Sequence, residues 1–274
     1  VAAIARELGR GDEEEEALAL AEPIPRAIHD CFWNEQRGMY ADCFADGRQS
    51  ECFSEHTNYT VLCFDLAPAG AAARVLANLA DPGPDVVQVE PSYMYHPLQA
   101  LFRRGASKQA MDFMRRRYGR LFRRGAETLW EEWSYRLSAR TGTWYPRYRS
   151  LAQGAGCCAS YVLSTEVLGV QPTAPGFGRF RVRPRWGDLA WAEGVVPAPV
   201  GDVFVHWAFE GDEYRLTVGV PDGAEAEVHL PPGRAALLDG KPITASAALR
   251  QEAGVLVYAA GPGRREFVVR AAAR

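Results

Sequence analysis

The chain has 274 residues, of which 47% are hydrophobic and 24% charged, and its formal net charge is −3. That is the composition of a globular chain with apolar side chains enough for about two domains of ~100–200 residues each. It gives no general pull toward nucleic acid or a membrane surface, and no apolar run reaches the ~18–20 residues that span a bilayer.

The opening stretch, VAAIARELGRGDEEEEALAL, reads as mid-helix and lacks the charged region, apolar core and cleavage site of a secretory leader. The expectation is a piece of a longer, cytoplasmic polypeptide. EEEEALALAEPIPRAIHDCFW then places apolar residues at helical spacing behind an acidic first turn, which the helix dipole favours. TNYTVLCFDLA, GAAARVLANLA, SYMYHPLQALFRRG and SKQAMDFMRRRYGRLFRRG follow as helical segments punctuated by Gly and Pro. GAGCCASYVLSTEVLGV reads as one more, buried helix whose small residues, Gly154 to Ala159, permit close packing. Past Gln171–Gly178, a Pro/Gly-rich boundary, the period becomes two. RFRVRP, DVFVHWAF, YRLTVGV, AEVHL and REFVVRA alternate apolar and polar residues, with turn signals such as Asp222-Gly223 and Asp239-Gly240 between them. An antiparallel sheet with one wet face follows, built as a small sandwich.

Six cysteines, at 31, 43, 52, 63, 157 and 158, have no CxxC pair or zinc spacing and read as free thiols. Six arginines between Arg115 and Arg124, with Tyr118 and Phe122 interleaved, have the look of a nucleic-acid patch. In a net-negative chain a solvated helix face explains them better. No Walker, zinc or EF-hand motif occurs, so no cofactor or metal is expected.

One stretch stands apart. AETLWEEWSYR sets Glu131 and Glu132 between Trp130 and Trp133. On a helix the two tryptophans share a face and could be plain core, with the carboxylates outward. Alternatively, indoles stack on a sugar ring, and a carboxylate held among them loses solvation and shifts toward general acid–base use. SEHTNYT (with His56), SYMYHP (with Tyr95 and His96) and TGTWYPRYRS supply further aromatic and polar candidates for the same cavity. A lone histidine such as His56 or His96 is more often structural than catalytic.

GAETLWEEW, followed by SLAQGAGCCASYVLSTEVLGVQPTAPGFGRFRVRPRWGDLAWAEGVVPAPVGDVFVHW, resembles the C-terminal third of bacterial α-L-rhamnosidases. IHDCFWNEQRGMYADC and SEHTNYTVLCFDLAP are similar to the late helices of the same family. The resemblance implies a partial (α/α)6 toroid of helical hairpins over 1–172 and a β-sandwich over 173–274. It implies an inverting glycoside hydrolase acting on rhamnose-containing oligosaccharides or glycosides, with no nucleic-acid or membrane partner. Glu131 falls at the general base of the family's Trp-Glu-x-Trp motif, and Glu132 at the variable position. Trp130 and Trp133 would shape the pocket, with Tyr95 and His96 as further substrate contacts. Gln153 stands where the family has a sugar-contacting histidine, and Ala155 where it has a tryptophan. The family's general acid lies upstream of the matched residues; Glu51, Glu55 and Glu90 are substitutes without a supporting motif. The first 170 residues hold about seven or eight helices at ~11–12 residues each, against the twelve of a full toroid. A non-catalytic carbohydrate-binding or interaction fragment, or a toroid glycosidase of different sugar specificity, is the alternative.

Overall fold

The computed structural model describes residues 1–133, 136–137, 144–145, 150–243, 249–252 and 255–271. The candidate stretch at 141–149 therefore lies outside the described residues, apart from the two-residue strand Trp144–Tyr145. The chain divides into two compact units, Val1–Arg104 with Arg117–Gly156, and Gly105–Arg116 with Cys157–Arg274. Among the described residues no helix is long and apolar enough to cross a membrane.

The first unit is mainly helical. The acidic stretch starts α2 (Gly11–Ala21), after α1 (Ala2–Glu7), with Asp12, Glu13 and Glu14 in its first turn. The long helix expected from EEEEALALAEPIPRAIHDCFW is two helices. Pro23 and Pro25 interrupt the backbone ladder and start α3 (Ile24–Phe32), because proline lacks the N–H that a helix interior needs. A tight hairpin follows, then α4 (Glu55–Cys63), whose first turn is capped by the Ser54 hydroxyl accepting from the Thr57 N–H at 3.2 Å. α5 (Ala69–Ala80) buries Ala71, Val75 and Leu79, and α6 (Tyr95–Arg103) buries Leu98, Leu101 and Phe102. α7 (Ser107–Arg123) contributes its residues 117–123 to this unit and 107–116 to the other. The arginine run on α7 is not uniformly solvated. Arg115, Arg116, Arg123 and Arg124 are exposed, but Arg117 is buried.

GAGCCASYVLSTEVLGV is likewise not one buried helix. It consists of a 3-10 turn (Gly154–Cys157), the short α8 (Cys158–Val162) and a π-helical turn (Leu163–Val167), and it exposes Cys157, Tyr161 and Leu163. The small-residue expectation holds at Gly156, where a Cβ would stand 3.1 Å from the Trp130 carbonyl oxygen.

Beyond it the second unit is built from two sheets. One has five strands: β1 (Val170–Pro172), β2 (Arg179–Val182), β6 (Glu225–Leu230), β9 (Leu249–Glu252) and β10 (Val255–Ala260), in the order β9-β10-β6-β2-β1. The other has six: β3 (Trp191–Val196), β4 (Val203–Glu210), β5 (Glu213–Val220), β7 (Gly233–Leu238), β8 (Lys241–Pro242) and β11 (Gly263–Ala271), in the order β3-β4-β5-β11-β7-β8. All pairings are antiparallel except β2 with β6, which is parallel. The chain leaves β2 to build β3–β5 in the other sheet and returns in the same direction, a pairing that alternation alone does not reveal. The period-two pattern sends Val203, Val205 and Trp207 of β4 and Tyr214, Leu216, Val218 and Val220 of β5 into the core. Tyr258 of one sheet meets Phe267 of the other edge to face at 5.5 Å. The Trp207 indole donates to the Val167 carbonyl at 2.9 Å, tying the π-helical turn to the core.

Gly169 ends that turn at φ +80°, and a Cβ there would fall 2.2 Å from the Arg183 carbonyl carbon. Gly169→Ala is therefore expected to cost about 3 kcal/mol, from left-handed strain and overpacking together. Urea unfolding followed by tryptophan fluorescence measures it; a loss under about 1 kcal/mol would show that the backbone there is not tightly packed.

Candidate functional site

The Trp-Glu-Glu-Trp segment is not helical. α7 ends at Arg123, Gly125 takes φ +75°, and residues 129–133 run as an irregular segment with a bend at 131–133. The helical-face relation between Trp130 and Trp133, and the ~100° divergence of Glu131 and Glu132 that a helix imposes, therefore do not apply. Local order comes from pairing with a distant stretch instead. The Glu131 N–H donates to the Ser150 carbonyl at 2.9 Å, and the Ser150 N–H donates back to Glu131 Oε2 at 2.8 Å. Two residues further out, the Gln153 N–H donates to the Leu129 carbonyl at 2.9 Å, and the Thr128 hydroxyl caps the Leu151 carbonyl. Glu131 and Gln153, 22 positions apart, are thus carried on adjoining segments. Both side chains are half-buried, as is Glu132.

Trp130 and Trp133 are both buried, at 3% and 4% exposure. Trp133 is anchored on three sides. Its indole N–H donates to the Val89 carbonyl at 2.5 Å, its backbone N–H to Glu90 Oε2 at 2.9 Å, and its carbonyl accepts from Arg124. The ring meets Tyr118 edge to face at 5.3 Å, and the Tyr118 hydroxyl donates to the Gly156 carbonyl at 3.0 Å.

Beneath this lies a pair that sequence reasoning did not find. Glu55 is fully buried and Arg117 is 5% exposed; their side chains meet at 2.5 Å. Glu55 Oε2 also accepts the Val89 N–H at 2.7 Å, and Arg117 donates to Gln88 at 2.6 Å. Burial pushes the Glu55 carboxyl up, and Arg117 with the Val89 N–H opposes the shift. Of the three substitute acids, Glu55 is therefore committed to Arg117 and Glu90 accepts the Trp133 N–H, while Glu51 is exposed. No local pattern distinguishes Arg117 from its five neighbouring arginines, so only the fold could identify it.

The other predicted residues begin α6. Pro91, in the 3-10 turn ahead of it, lies beside Gly156: a Cβ on that glycine would stand 3.7 Å from the Pro91 Cβ. His96 stacks on Tyr93 at 4.3 Å and meets Tyr95 edge to face at 5.4 Å. Tyr93 in turn lies 4.8 Å from the His56 ring, and its hydroxyl is 3.1 Å from Thr60 Oγ1. His56, Thr60 and Tyr93 border a hollow of about 300 Å³ with Asp42 and the apolar Phe32 and Leu66. Burial holds both His56 and His96 below the ordinary imidazole range; for His56, Asp42 opposes the shift and His96 adds to it. A neutral imidazole offers one donor and one acceptor, the pairing suited to hydroxyl groups. Among the described residues no group of three or more His, Cys, Asp or Glu side chains could hold a metal ion.

Residues 169–242 match the family model described as bacterial alpha-L-rhamnosidase C-terminal domain. An α-L-rhamnosidase of Alteromonas sp. (strain LOR) is 35% identical over 104 residues, which is 38% of this chain and 11% of that protein. Solved structures similar over 98% of the chain include the following two. The α-L-rhamnosidase of Dictyoglumus thermophilum gives a TM-score of 0.78 at 20% identity, with 30% of its own chain covered. The Streptomyces avermitilis α-L-rhamnosidase complexed with L-rhamnose gives 0.76 at 22%, with 25% covered. The likeness to bacterial α-L-rhamnosidases read from the sequence is thus upheld, and the chain spans a minor part of each of these relatives.

Two expectations follow from the geometry. Glu55→Ala removes the buried carboxylate that meets Arg117 in the core, so it should destabilise the first unit by about 3–5 kcal/mol; denaturant titration tests this, and a loss under about 1 kcal/mol would mean that water reaches the pair. The histidines set a pH dependence. Their folded pKa lies below the unfolded 6.5, so their contribution to stability is complete above about pH 6.5 and is lost as the pH falls through the lower folded value. Thermal midpoints should drop between pH 7.5 and 5, and the drop should be smaller in the His56→Gln, His96→Gln double variant. An unchanged slope would remove these two residues as its cause.

Proposed function

We propose that the chain is the C-terminal portion of an inverting α-L-rhamnosidase that hydrolyses terminal α-L-rhamnosides. In this reading residues 1–172 form part of an (α/α)6 toroid and residues 173–274 a β-sandwich. Glu131 is the general base. The observation that carries the reading is the reciprocal pairing of Glu131 with Ser150, which fixes the carboxylate beside the segment bearing Gln153. The matched family model and the similar α-L-rhamnosidases support the substrate class.

The chemistry asks for two carboxyl groups about 6.5–9.5 Å apart, one protonating the leaving oxygen and one activating water from the opposite face. Glu131 takes the water proton as oxygen attacks the anomeric carbon. The Ser150 N–H bound to Oε2 orients the carboxylate and stabilises its charged form, the form a base requires. Gln153 hydrogen-bonds a sugar hydroxyl without titrating, and Tyr95 and His96 border the substrate. Trp130 and Trp133 shape the pocket from behind, as buried supports for the Glu131 backbone. The general acid belongs to residues outside those matched here.

A second reading is favoured by the engagement of Glu55 with Arg117 and of Glu90 with the Trp133 N–H. With both carboxylates held, the chain alone would bind a saccharide without turning it over. In a protein that carries the whole catalytic domain, Glu131→Gln should lower kcat on an aryl α-L-rhamnoside by roughly 10²–10⁴-fold, while Glu132→Gln should stay within about tenfold. Equal losses would misplace the base. Assaying the 274-residue chain itself, with rhamnose titrated against tryptophan fluorescence, separates the two readings: binding without turnover supports the second.

A further inference from the structure

The second unit holds a hollow of about 400 Å³, within the ~300–1,000 Å³ of small-molecule sites. Lys108, Arg183, Arg185, Trp186 and His229 border it. Lys108 is 67% exposed and salt-bridged to Asp112 at 2.7 Å, and Arg185 meets the buried Glu166 at 3.1 Å. Arg183 is exposed, and among the described residues no carboxylate pairs with it. Arg181, Arg183 and Arg185 alternate along one stretch. Burial lowers the Arg185 pKa, and the charges of Arg183 and Arg181 push in the same direction against Glu166. The basic wall thus carries mutual repulsion that an anion would relieve.

Trp186 also borders a second hollow, of about 450 Å³, together with Asp188 and Phe209. Its half-buried indole is held edge to face by Phe209 at 5.2 Å and tilted on Tyr214 at 5.4 Å. An aromatic ring fixed in this way costs little entropy on binding and can stack on the apolar face of a pyranose. The hollows differ in lining: cations border the first, while among the described residues the second has Asp188, ion-paired to Arg115 at 2.8 Å, beside apolar side chains.

From these features we infer that the second unit carries a saccharide-binding site for an acidic sugar, with a carboxylate-bearing unit facing Arg183 and Lys108 and a neutral unit beyond Trp186. Inorganic phosphate alone would leave the indole and most of the hollow unused. A nucleic acid, with one charge per about 1.7 Å of duplex, presents no pyranose face to Trp186 and finds no general attraction in a chain whose net charge is −3. The inference is independent of the assignment of Glu131.

The test is calorimetry and tryptophan fluorescence on the 274-residue chain with a hyaluronan tetrasaccharide, which alternates glucuronate and N-acetylglucosamine, against the neutral chitotetraose of equal length. The acidic ligand should bind at least tenfold more tightly than the neutral one, and more weakly as salt rises. Arg183→Glu, at an exposed position that leaves the core intact, should lose at least tenfold; Lys108→Glu should lose less. Trp186→Ala should remove the fluorescence change, with circular dichroism checking that it folds. Equal affinity for both tetrasaccharides, no binding at millimolar concentration, full affinity in Arg183→Glu, equally tight binding of inorganic phosphate, or tighter binding of a DNA duplex would each overturn the inference.

Discussion

The contact between Arg117 and Glu55 is the constraint on which the first unit's site depends. A charge removed from water costs several kcal/mol unless a partner and hydrogen bonds compensate it. Here each partner has both. Glu55 accepts from Arg117 and from the Val89 N–H, and Arg117 also donates to Gln88. The residues so held, 88 to 90, then receive the Trp133 indole and backbone N–H. Three stretches far apart in sequence are joined through one buried pair, and the Trp-Glu-Glu-Trp segment hangs from it two residues beyond Glu131.

Burial and partners, more than residue type, divide the work among the carboxylates of this unit. Glu55 has no exposed surface and one fixed cation, which suits it to structure. Glu90 spends an oxygen on a backbone N–H. Glu131 is half-buried, and the Ser150 amide donates to its Oε2, so it keeps contact with solvent while its position is held. The two neighbouring tryptophans act through stiffness: Trp133, bonded at the indole, the amide and the carbonyl, fixes the direction of the chain that carries Glu131.

The second unit repeats the logic with different parts. Glu166 lies in a π-helical turn, a geometry that adds a residue to the helix and is frequent at functional sites. It answers Arg185 and accepts from Gln171 at 3.0 Å, while Trp207 holds the end of the same turn. Gly169 then lets the chain pass against Arg183 and Pro184. The arginines that line the basic hollow are therefore set by the packing of this turn on the sheets.

Sequence alone determined the features that depend on near neighbours. Period-two alternation located β2, β4, β5, β6 and β11, the acidic first turn marked the start of α2, and the ordered motifs after Gly125 carried the likeness to α-L-rhamnosidases. Short-range sterics and side-chain periodicity produce these signals, and both are visible within a window of a dozen residues. Tertiary structure decided what depends on distant partners. Helical spacing at Trp130 and Trp133 was outweighed by hydrogen bonds to residues 150–153 and 89–90. The parallel pairing of β2 with β6 required a crossover through the other sheet, and one arginine of six was drawn into the core by a carboxylate 62 positions away. Such choices turn on which surfaces exclude water together, and that is a property of the packed chain, carried by no single stretch of it.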